Sequence, residues 1–199
     1  TGFFSEVYER FDLEWYSPHS SSIEYLDRLG VLSARPLLGH CVHLSDDDIR
    51  RIESSGSSIA HCPKSNAKFG HGAAPLEKFL DLGITVGLGS DSVASNNLCD
   101  MIEESRFASL TARNRMDSNR HISASETLRL ATQGGAEALG MGDVIGSLEF
   151  GKQADLAVIS LNQDAMKPLG DIEAAIVFSS NGRDVVKTYV AGKEVYSKA

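Results

Sequence analysis

Three side chains that can bind a metal or move a proton stand at the ends of separate apolar runs. His40 ends the run in "LLGHCVHL", His61 follows the strand-like "IA" of "IAHCPKSN", and Asp91 closes "GLGSDS". A carboxylate at the end of a buried strand must reach water or contact a positive partner, because an isolated buried charge is costly. Imidazole and carboxylate groups are also ligands of zinc and common acid–base catalysts. These three residues are therefore the first candidates for chemistry.

Alternating strands and helices are predicted around these candidates. Apolar runs alternate with helical segments that begin at serine or aspartate and stop at glycine, as in "SDDDIRRIESSG". Such alternation is typical of right-handed crossovers in a parallel sheet or barrel, where ligands bind outside the carboxyl ends of the strands. We therefore expect His40, His61 and Asp91 at one place. A single histidine at a strand end is more often a hydrogen-bonded core residue, but three such positions in register favour a site.

The elements predicted along the chain divide it into two parts. Helices are predicted in "SSSIEYLDRLG", "SDDDIRRIESSG", "APLEKFLDLG", residues 98–113 and "SASETLRLATQGGAEALG". Residues 1–19 are interpreted as an ordered loop with one helical turn, and "CPKSNAKFGHG" as a loop. After Gly140, "ADLAVIS", "AAIVFSS" and "VVKTYVAGKEVY" indicate a small β-rich module, the last run being a hairpin that turns at Ala191–Gly192. We place one domain at residues 1–140 and a second at 141–199.

The remaining histidines and the cysteines are less informative. His43 is predicted to lie at the surface, and spacing alone gives no role to His19, His71 and His121. The three cysteines are odd in number and form no CxxC pair, which supports neither a disulfide framework nor a structural zinc site. We expect small buried thiols at Cys41, Cys62 and Cys99.

The composition restricts the class of protein. With 199 residues, of which 42% are hydrophobic and 23% charged, the chain can bury at least one sizeable core. A formal net charge of −8 argues against a nucleic-acid or anionic-membrane surface, and the basic stretch from Arg113 to His121 is interpreted as a solvated loop. No apolar run approaches the ~18 residues of a membrane span, and no signal peptide opens the chain. A cytoplasmic protein is expected.

Three longer stretches resemble a known family. The segments "GHCVHLSDDDIRRI", "AHCPKSNAKFGHGAAPLEKFLDLGITVGLGSDSVASNN" and "GSLEFGKQADLAVI" are similar to successive motifs of the amidohydrolase superfamily, in its branch of metal-dependent aminohydrolases and chlorohydrolases. That branch includes S-adenosylhomocysteine/methylthioadenosine, aminofutalosine and guanine deaminases and the triazine hydrolases. The resemblance extends from about Ser20 to the C-terminus.

The resemblance implies an α/β fold, the C-terminal portion of a (β/α)8 barrel (about strands six to eight) with part of a flanking β-sandwich. It makes Asp91 a ligand of a divalent metal, zinc or iron, and the base that takes a proton from metal-bound water. His40 would hydrogen-bond the resulting hydroxide and the oxyanion, and is a second possible metal ligand. The implied reaction is hydrolytic deamination or dechlorination of a small amino-substituted heterocycle. Its pocket would be shaped by His61, Asn66, Ser95, Asn96 and Asn97.

Other parts of the family's metal site have no counterpart in this sequence. The first-strand His-x-His pair, the fifth-strand histidine and the glutamate three residues after it are absent, and "WYSPHSSSIEYL" resembles the segment that follows them. A full barrel takes ~250 residues, so we expect a fragment that is inactive alone, binds zinc weakly and self-associates through exposed strand edges. The alternative is a non-catalytic interaction module or one half of a split enzyme.

Overall fold

The computed structural model describes residues 3–14, 16, 18–115 and 120–198, so predictions about Thr1, Trp15 and residues 116–119 lie outside the described residues. The strands of the described part are β1 (Leu37–Gly39), β2 (Ser58–His61), β3 (Val86–Leu88), β4 (Leu156–Ile159), β5 (Val185–Val190) and β6 (Lys193–Ser197). Its α-helices are α1 (Phe3–Arg10), α2 (Ser22–Arg28), α3 (Asp46–Ser55), α4 (Pro63–Lys68), α5 (Leu76–Asp81), α6 (Val93–Asn96), α7 (Met101–Arg113), α8 (Ala124–Ala131), α9 (Gln133–Ala138) and α10 (Ile172–Ser179). None of the helices in these ranges combines the length and the apolar composition that a membrane span requires.

The first sheet is parallel, with the order β1–β2–β3, as the alternation of elements predicts. Ile59 in the central strand pairs with Leu38 on one side and with Val86 on the other. Helix α3 connects β1 to β2, and α4 and α5 connect β2 to β3, which is the kind of crossover that parallel strands need. The ladder continues past β1, where the His40 amide donates to the Ala60 carbonyl at 3.0 Å. The carboxyl ends of the three strands therefore lie at one edge.

Helix α3 begins and ends where its sequence predicts. The Ser45 side chain accepts a hydrogen bond from the Asp48 amide, while the Asp48 carboxylate accepts one from the Ser45 amide. Gly56 ends the helix with a φ of 69°, a conformation that glycine adopts without steric cost. Ile49 and Ile52 point into the core, with 2% and 0% of their surface exposed. Local capping signals thus fix a helix that covers the parallel sheet.

The hydrophobic core lies between the parallel sheet and the helices around it. Its largest buried members are Leu32, Ile52, Ile59, Leu76, Phe79, Ile122 and Leu130. Helix α9 lies directly on β3, because a Cβ at Gly134 would come within 2.5 Å of the Val86 carbonyl oxygen. A Cβ at Gly87 would likewise meet the Gly135 Cα at 2.7 Å. This helix–strand contact requires glycine on both sides.

The second sheet is antiparallel, with the order β4–β5–β6. The predicted hairpin is confirmed, since β5 and β6 are joined by a turn at Ala191 and Gly192 with φ values of 49° and 77°. Within the described residues, the buried hydrophobic side chains after Gly140 are those of Met166 and Val177. The second sheet therefore has little core of its own.

Three predicted segments differ from the structure. Residues 1–19 contain the two-turn helix α1, which has an acidic first turn and a basic last turn that complement the helix dipole. The predicted loop "CPKSNAKFGHG" contains α4, with Pro63 at its first position, where the missing N–H costs nothing. The segment "AAIVFSS" lies in α10 and not in a strand, because Asp171 caps the helix by accepting from the Ala174 amide.

Two smaller corrections concern Cys99 and the start of α7. Cys41 and Cys62 are buried as predicted, whereas Cys99 is exposed because it lies in the loop before α7. Helix α7 begins at Met101, later than predicted, since the Asp100 side chain caps its first turn.

Candidate functional site

His40 and Asp91 meet at the carboxyl edge of the parallel sheet. His40 Nε2 lies 3.9 Å from Asp91 Oδ2, and the two side chains are 45% and 26% exposed. Each residue follows a strand end and has a left-handed backbone, with φ of 66° and 60° respectively. This conformation is uncommon for residues other than glycine and is found repeatedly at functional sites. The pair borders solvent and is held by unusual backbone geometry.

Hydrogen bonds keep the Asp91 carboxylate ionised. The Ser65 hydroxyl donates to Oδ2 at 2.7 Å, and the Ser92 amide donates to Oδ1 at 2.7 Å. These two bonds, and a smaller contribution from the Ser95 hydroxyl, hold the pKa of Asp91 below its usual range. At neutral pH the carboxylate can therefore bind a cation or accept a proton.

The ring of His40 is oriented by helix α4. His40 Nδ1 lies 2.9 Å from Asn66 Oδ1, so Nδ1 carries the proton when the amide oxygen accepts. The other nitrogen, Nε2, then presents its lone pair toward the Asp91 carboxylate. Two electron-rich atoms that face each other in this way are stabilised by a cation or a proton between them.

His61 lies behind this pair and is 1% exposed. Burial, and then the neighbouring His40, lower the pKa of His61 to about 4, so its ring is neutral at physiological pH. Neither ring nitrogen has a hydrogen-bond partner among the described residues. Buried imidazoles nearly always have partners, so the ring marks a point where a water molecule or another group would bind.

Asn96 belongs to a buried polar network beside residues 89–92, which form the Asp91 loop. Its Nδ2 donates to the Ser90 carbonyl at 2.5 Å and to Glu104 Oε1 at 2.5 Å. Burial raises the pKa of Glu104, and the hydrogen bonds from Asn96 and the Lys64 amide act in the opposite direction. The network ties helix α7 to the backbone just before Asp91.

The predicted pocket residues differ in how deeply they are buried. His61, Asn66 and Asn96 are each 1% exposed, because they fill the space between α4, α7 and the strand ends. Such burial suits residues that orient others, and their contact with a substrate stays a prediction. Ser95 is half-buried beside Asp91, and Asn97 is exposed and accepts a hydrogen bond from Lys68. His43 is exposed, as predicted.

Three residues with roles at the site were not among the sequence candidates. Ser65 lies in a segment that the sequence predicts as a loop, although Pro63 in that segment is a helix-start signal. Ser92 could have been found as an N-cap before "VASN". Glu104 shares a buried face of α7 with Ala108 and was detectable as a carboxylate within an apolar stripe.

The His40–Asp91 pair has the ligand chemistry of a metal site but only part of a ligand set. Among residues 3–14, 16, 18–115 and 120–198, no group of three or more His, Cys, Asp or Glu side chains could hold a metal ion. Zinc accepts imidazole nitrogen and carboxylate oxygen at ~2.0–2.2 Å, so ligand atoms as close as His40 Nε2 and Asp91 Oδ2 can share one ion. The described residues thus fit a divalent metal as two of its ligands.

The comparisons with known proteins agree on one family. Residues 12–195 match the amidohydrolase family. The chain is 37% identical over 174 residues to a 5-methylthioadenosine/S-adenosylhomocysteine deaminase of Moorella thermoacetica, a match that covers 87% of this chain and 41% of the relative.

Two solved structures have the same fold over almost the whole chain. An adenosine deaminase from Xanthomonas campestris with bound zinc superimposes with a TM-score of 0.83 and 33% identity, covering 96% of this chain and 42% of that one. A mutant of the atrazine chlorohydrolase TrzN from Arthrobacter aurescens TC1, complexed with zinc and atraton, gives a TM-score of 0.82 and 28% identity, covering 98% and 46%. The chain is thus an α/β structure that spans about two fifths of the length of the proteins it matches.

Proposed function

This chain belongs to the amidohydrolase family, and from that premise we propose that it carries part of the active site of a metal-dependent hydrolase. The reaction is hydrolytic removal of an amino group, or of chloride, from a nitrogen heterocycle. In this proposal β1, β2 and β3 are about the sixth to eighth strands of a (β/α)8 barrel. Residues 1–140 belong to the barrel, and residues 141–199 to the flanking β-sandwich.

The observation that carries the proposal is the His40–Asp91 pair at the carboxyl edge of a parallel sheet. This is the edge at which enzymes with parallel α/β folds place their reacting groups. The pair is 3.9 Å apart and each member has its own orienting partner, Asn66 for the histidine and Ser65 for the aspartate. A purely structural ion pair would not need both side chains to be held by separate hydrogen bonds.

A divalent metal, zinc or iron, would be held by Asp91, with His40 as a second candidate ligand. When bound, such an ion supplies hydroxide at neutral pH by lowering the pKa of a bound water molecule to ~7. The zinc in the two neighbouring structures supports zinc as the first ion to test. Further ligands would have to come from outside the described residues, because these supply no third ligand.

The residues of this chain then divide the proton work between them. Asp91, kept ionised by Ser65 and Ser92, accepts the proton that the attacking water loses. His40, with its ring fixed by Asn66, aims Nε2 at the reacting oxygen, and in its doubly protonated form it donates a hydrogen bond from Nε2 to the negative charge that forms there. Ser95, half-buried beside Asp91, is the pocket residue placed to contact a substrate.

The substrate class is an amino-substituted nitrogen heterocycle. The relatives that support this choice are deaminases of 5-methylthioadenosine and S-adenosylhomocysteine, and the neighbouring structures include an adenosine deaminase and an atrazine chlorohydrolase. The deaminases are the more similar of these in sequence, so a purine nucleoside with an exocyclic amino group is the first substrate to test.

We also propose that the chain associates with another polypeptide, or with a second copy, through its strand edges. Among the described strands, β1 and β3 each pair only with β2, so one edge of each is unpaired. Leu37 in β1 is 44% exposed. Unpaired edges with apolar side chains favour pairing with another strand. Light scattering at micromolar concentration tests this, and a monodisperse monomer would contradict it.

The function is tested in a chimera, because the chain spans only 41% of the relative's length. The matched segment of the Moorella thermoacetica enzyme is replaced by this chain, and bound metal is counted. Ammonia release is measured with 5-methylthioadenosine, S-adenosylhomocysteine and guanine, and chloride release with a chlorotriazine. We expect one metal per chain and ammonia release. A folded, metal-loaded chimera that releases neither product would contradict the proposal, as would tight metal binding by the isolated chain without any added ligands.

Asp91→Asn in this chimera is expected to lower the rate by about 10²–10⁴-fold with an unchanged circular dichroism spectrum, because the amide neither accepts the proton nor supplies negative charge. Retention of more than about a tenth of the activity rules out the role. His40→Ala is expected to slow the reaction and to leave bound metal, whereas loss of the metal would make His40 a ligand. His43→Ala, an exposed histidine in the same loop, is the matched control and is expected to leave the rate unchanged.

A further inference from the structure

Glu104 is a buried carboxylate that the proposed chemistry does not use. It is 1% exposed and lies on the face of α7 that also carries Ala108 and Ala112, which are 0% and 3% exposed. The nearby ammonium group of Lys64 pairs with Glu103 at 2.5 Å, and these two side chains are 15% and 25% exposed. A buried carboxylate is costly unless its oxygens are hydrogen-bonded, so the contacts of Glu104 indicate what it does for the protein.

One contact of Glu104 leads to the Asp91 loop. Glu104 Oε1 accepts from Asn96 Nδ2 at 2.5 Å, and the same Nδ2 donates to the Ser90 carbonyl at 2.5 Å. That carbonyl belongs to the peptide group whose nitrogen is the amide of Asp91. The carboxylate therefore holds, through one amide group, the backbone from which Asp91 projects.

The other contact leads to helix α4. Glu104 Oε2 accepts from the backbone amide of Lys64 at 3.3 Å, in the first turn of that helix. The next two residues are Ser65, which donates to Asp91, and Asn66, which orients His40. A single buried carboxylate thus connects the segment that carries Asp91 with the segment that carries the hydrogen-bond partners of Asp91 and His40.

The donors around Glu104 fit an ionised carboxylate. Both of its partners are N–H groups, and the backbone amide of Lys64 cannot reverse its role. A glutamine at position 104 has one acceptor oxygen, and its NH2 group would face one of these donors. If the oxygen is kept for Lys64, Asn96 must rotate its amide and lose the hydrogen bond to the Ser90 carbonyl.

We propose that Glu104 is a positioning residue that fixes the Asp91 loop and the start of α4 relative to each other. The link between the two segments follows from the contacts of this chain alone. Its importance for catalysis rests on the proposed function, and the two are tested separately.

The link is tested by hydrogen exchange of the 199-residue chain, comparing wild type with Glu104→Gln and with the matched control Glu103→Gln. The control removes the neighbouring carboxylate and its ion pair with Lys64 but touches neither Asn96 nor the Lys64 amide. We expect Glu104→Gln to speed exchange in residues 90–92 by about tenfold, the effect of one lost hydrogen bond, and the control to leave exchange in residues 90–92 unchanged. Unchanged exchange in 90–92, or acceleration spread evenly over the chain, overturns the proposal.

The catalytic consequence is tested in the chimera. Glu104→Gln is expected to lower kcat by about 10–100-fold with KM within about twofold, the effect usually seen when a partner of an active-site ligand is lost. Because Glu104 acts through Asn96, the double variant Glu104→Gln/Asn96→Ala should lose no more kcat than the worse single variant. Multiplicative losses, or an equal loss in Glu103→Gln, overturn the role. A chimera that is inactive before these changes counts against the proposed function and leaves the exchange experiment to decide the link.

Discussion

The parallel and the antiparallel sheets each have three strands but lie in different surroundings. Every residue of β3 is buried, and Ile59 at the centre of β2 is 0% exposed. Every residue of β6 is exposed, including Val195 at 56% and Tyr196 at 46%. Helices pack around the parallel sheet, as parallel strands require, whereas an antiparallel sheet can leave one face to solvent.

This difference explains where the chemistry can lie. A side chain can be held at a fixed position only if its own backbone and its partners are held by packing. Asp91 and His40 follow strands of the parallel sheet, and residues of α4 form hydrogen bonds with both side chains. Helix α4 is in turn packed against α7. Among the described residues, the second sheet is packed less closely than the first, so it is less suited to hold a reacting side chain at a fixed position.

The largest effect on the comparison is expected from Ile59→Ala in β2. The deletion leaves a cavity in the central strand of the enclosed sheet and should lower the free energy of unfolding by ~2–5 kcal/mol. Urea unfolding followed by circular dichroism measures it. A loss below about 1 kcal/mol, within the range of ordinary surface changes, would mean that this sheet is not the stable part of the chain.

An intermediate effect is expected from Asp48→Asn. Asp48 is 3% exposed, and its carboxylate accepts from the Ser21 hydroxyl and from the Ser45 amide and hydroxyl. The asparagine NH2 would face one of these donors, so the variant should lose ~1–3 kcal/mol of unfolding free energy. Asp47→Asn, on the exposed side of the same helix turn, is the control.

The Asp48 carboxylate also makes the free energy of unfolding depend on pH. Burial alone would raise the pKa of Asp48, but the hydrogen bonds from Ser21 and Ser45 hold it below its ordinary value of 3.8. Its contribution is therefore complete above that value and is lost as the pH falls through the lower pKa of the folded state. Unfolding measured between pH 7 and pH 2 should show a smaller acid loss in Asp48→Asn. An identical pH dependence in variant and wild type would contradict this.

The smallest effect is expected from Val195→Ala in β6. An exposed side chain with few packed neighbours should change the unfolding free energy by no more than ~0.5 kcal/mol. A loss of unfolding free energy above about 1 kcal/mol would contradict the difference between the two sheets, because it would show that this face of β6 is buried in solution. Repeating the measurement at several protein concentrations would then show whether a second copy covers the face.

The sequence predicted most of the framework because the relevant signals are local. Ser45 and Gly56 mark the ends of α3, alternation of apolar and small residues marks β3, and the turn at Ala191–Gly192 marks the hairpin. The segments it misplaced, α4 and α10, are short helices with cues at single positions. A short apolar run such as "AAIVFSS" is compatible with a strand and with a helix, and packing against α7 and α8 decides between them.

The sequence by itself determined that His40 and Asp91 would come together, because parallel strands align their carboxyl ends and the motifs around both residues are those of one family. Only the tertiary structure decided how each is held. The hydrogen bond from Ser65 to Asp91 spans 26 residues, and that from Asn96 to Glu104 joins the end of α6 to α7. Contacts of this kind depend on distances between elements that are set by core packing, and spacing along the chain does not contain them.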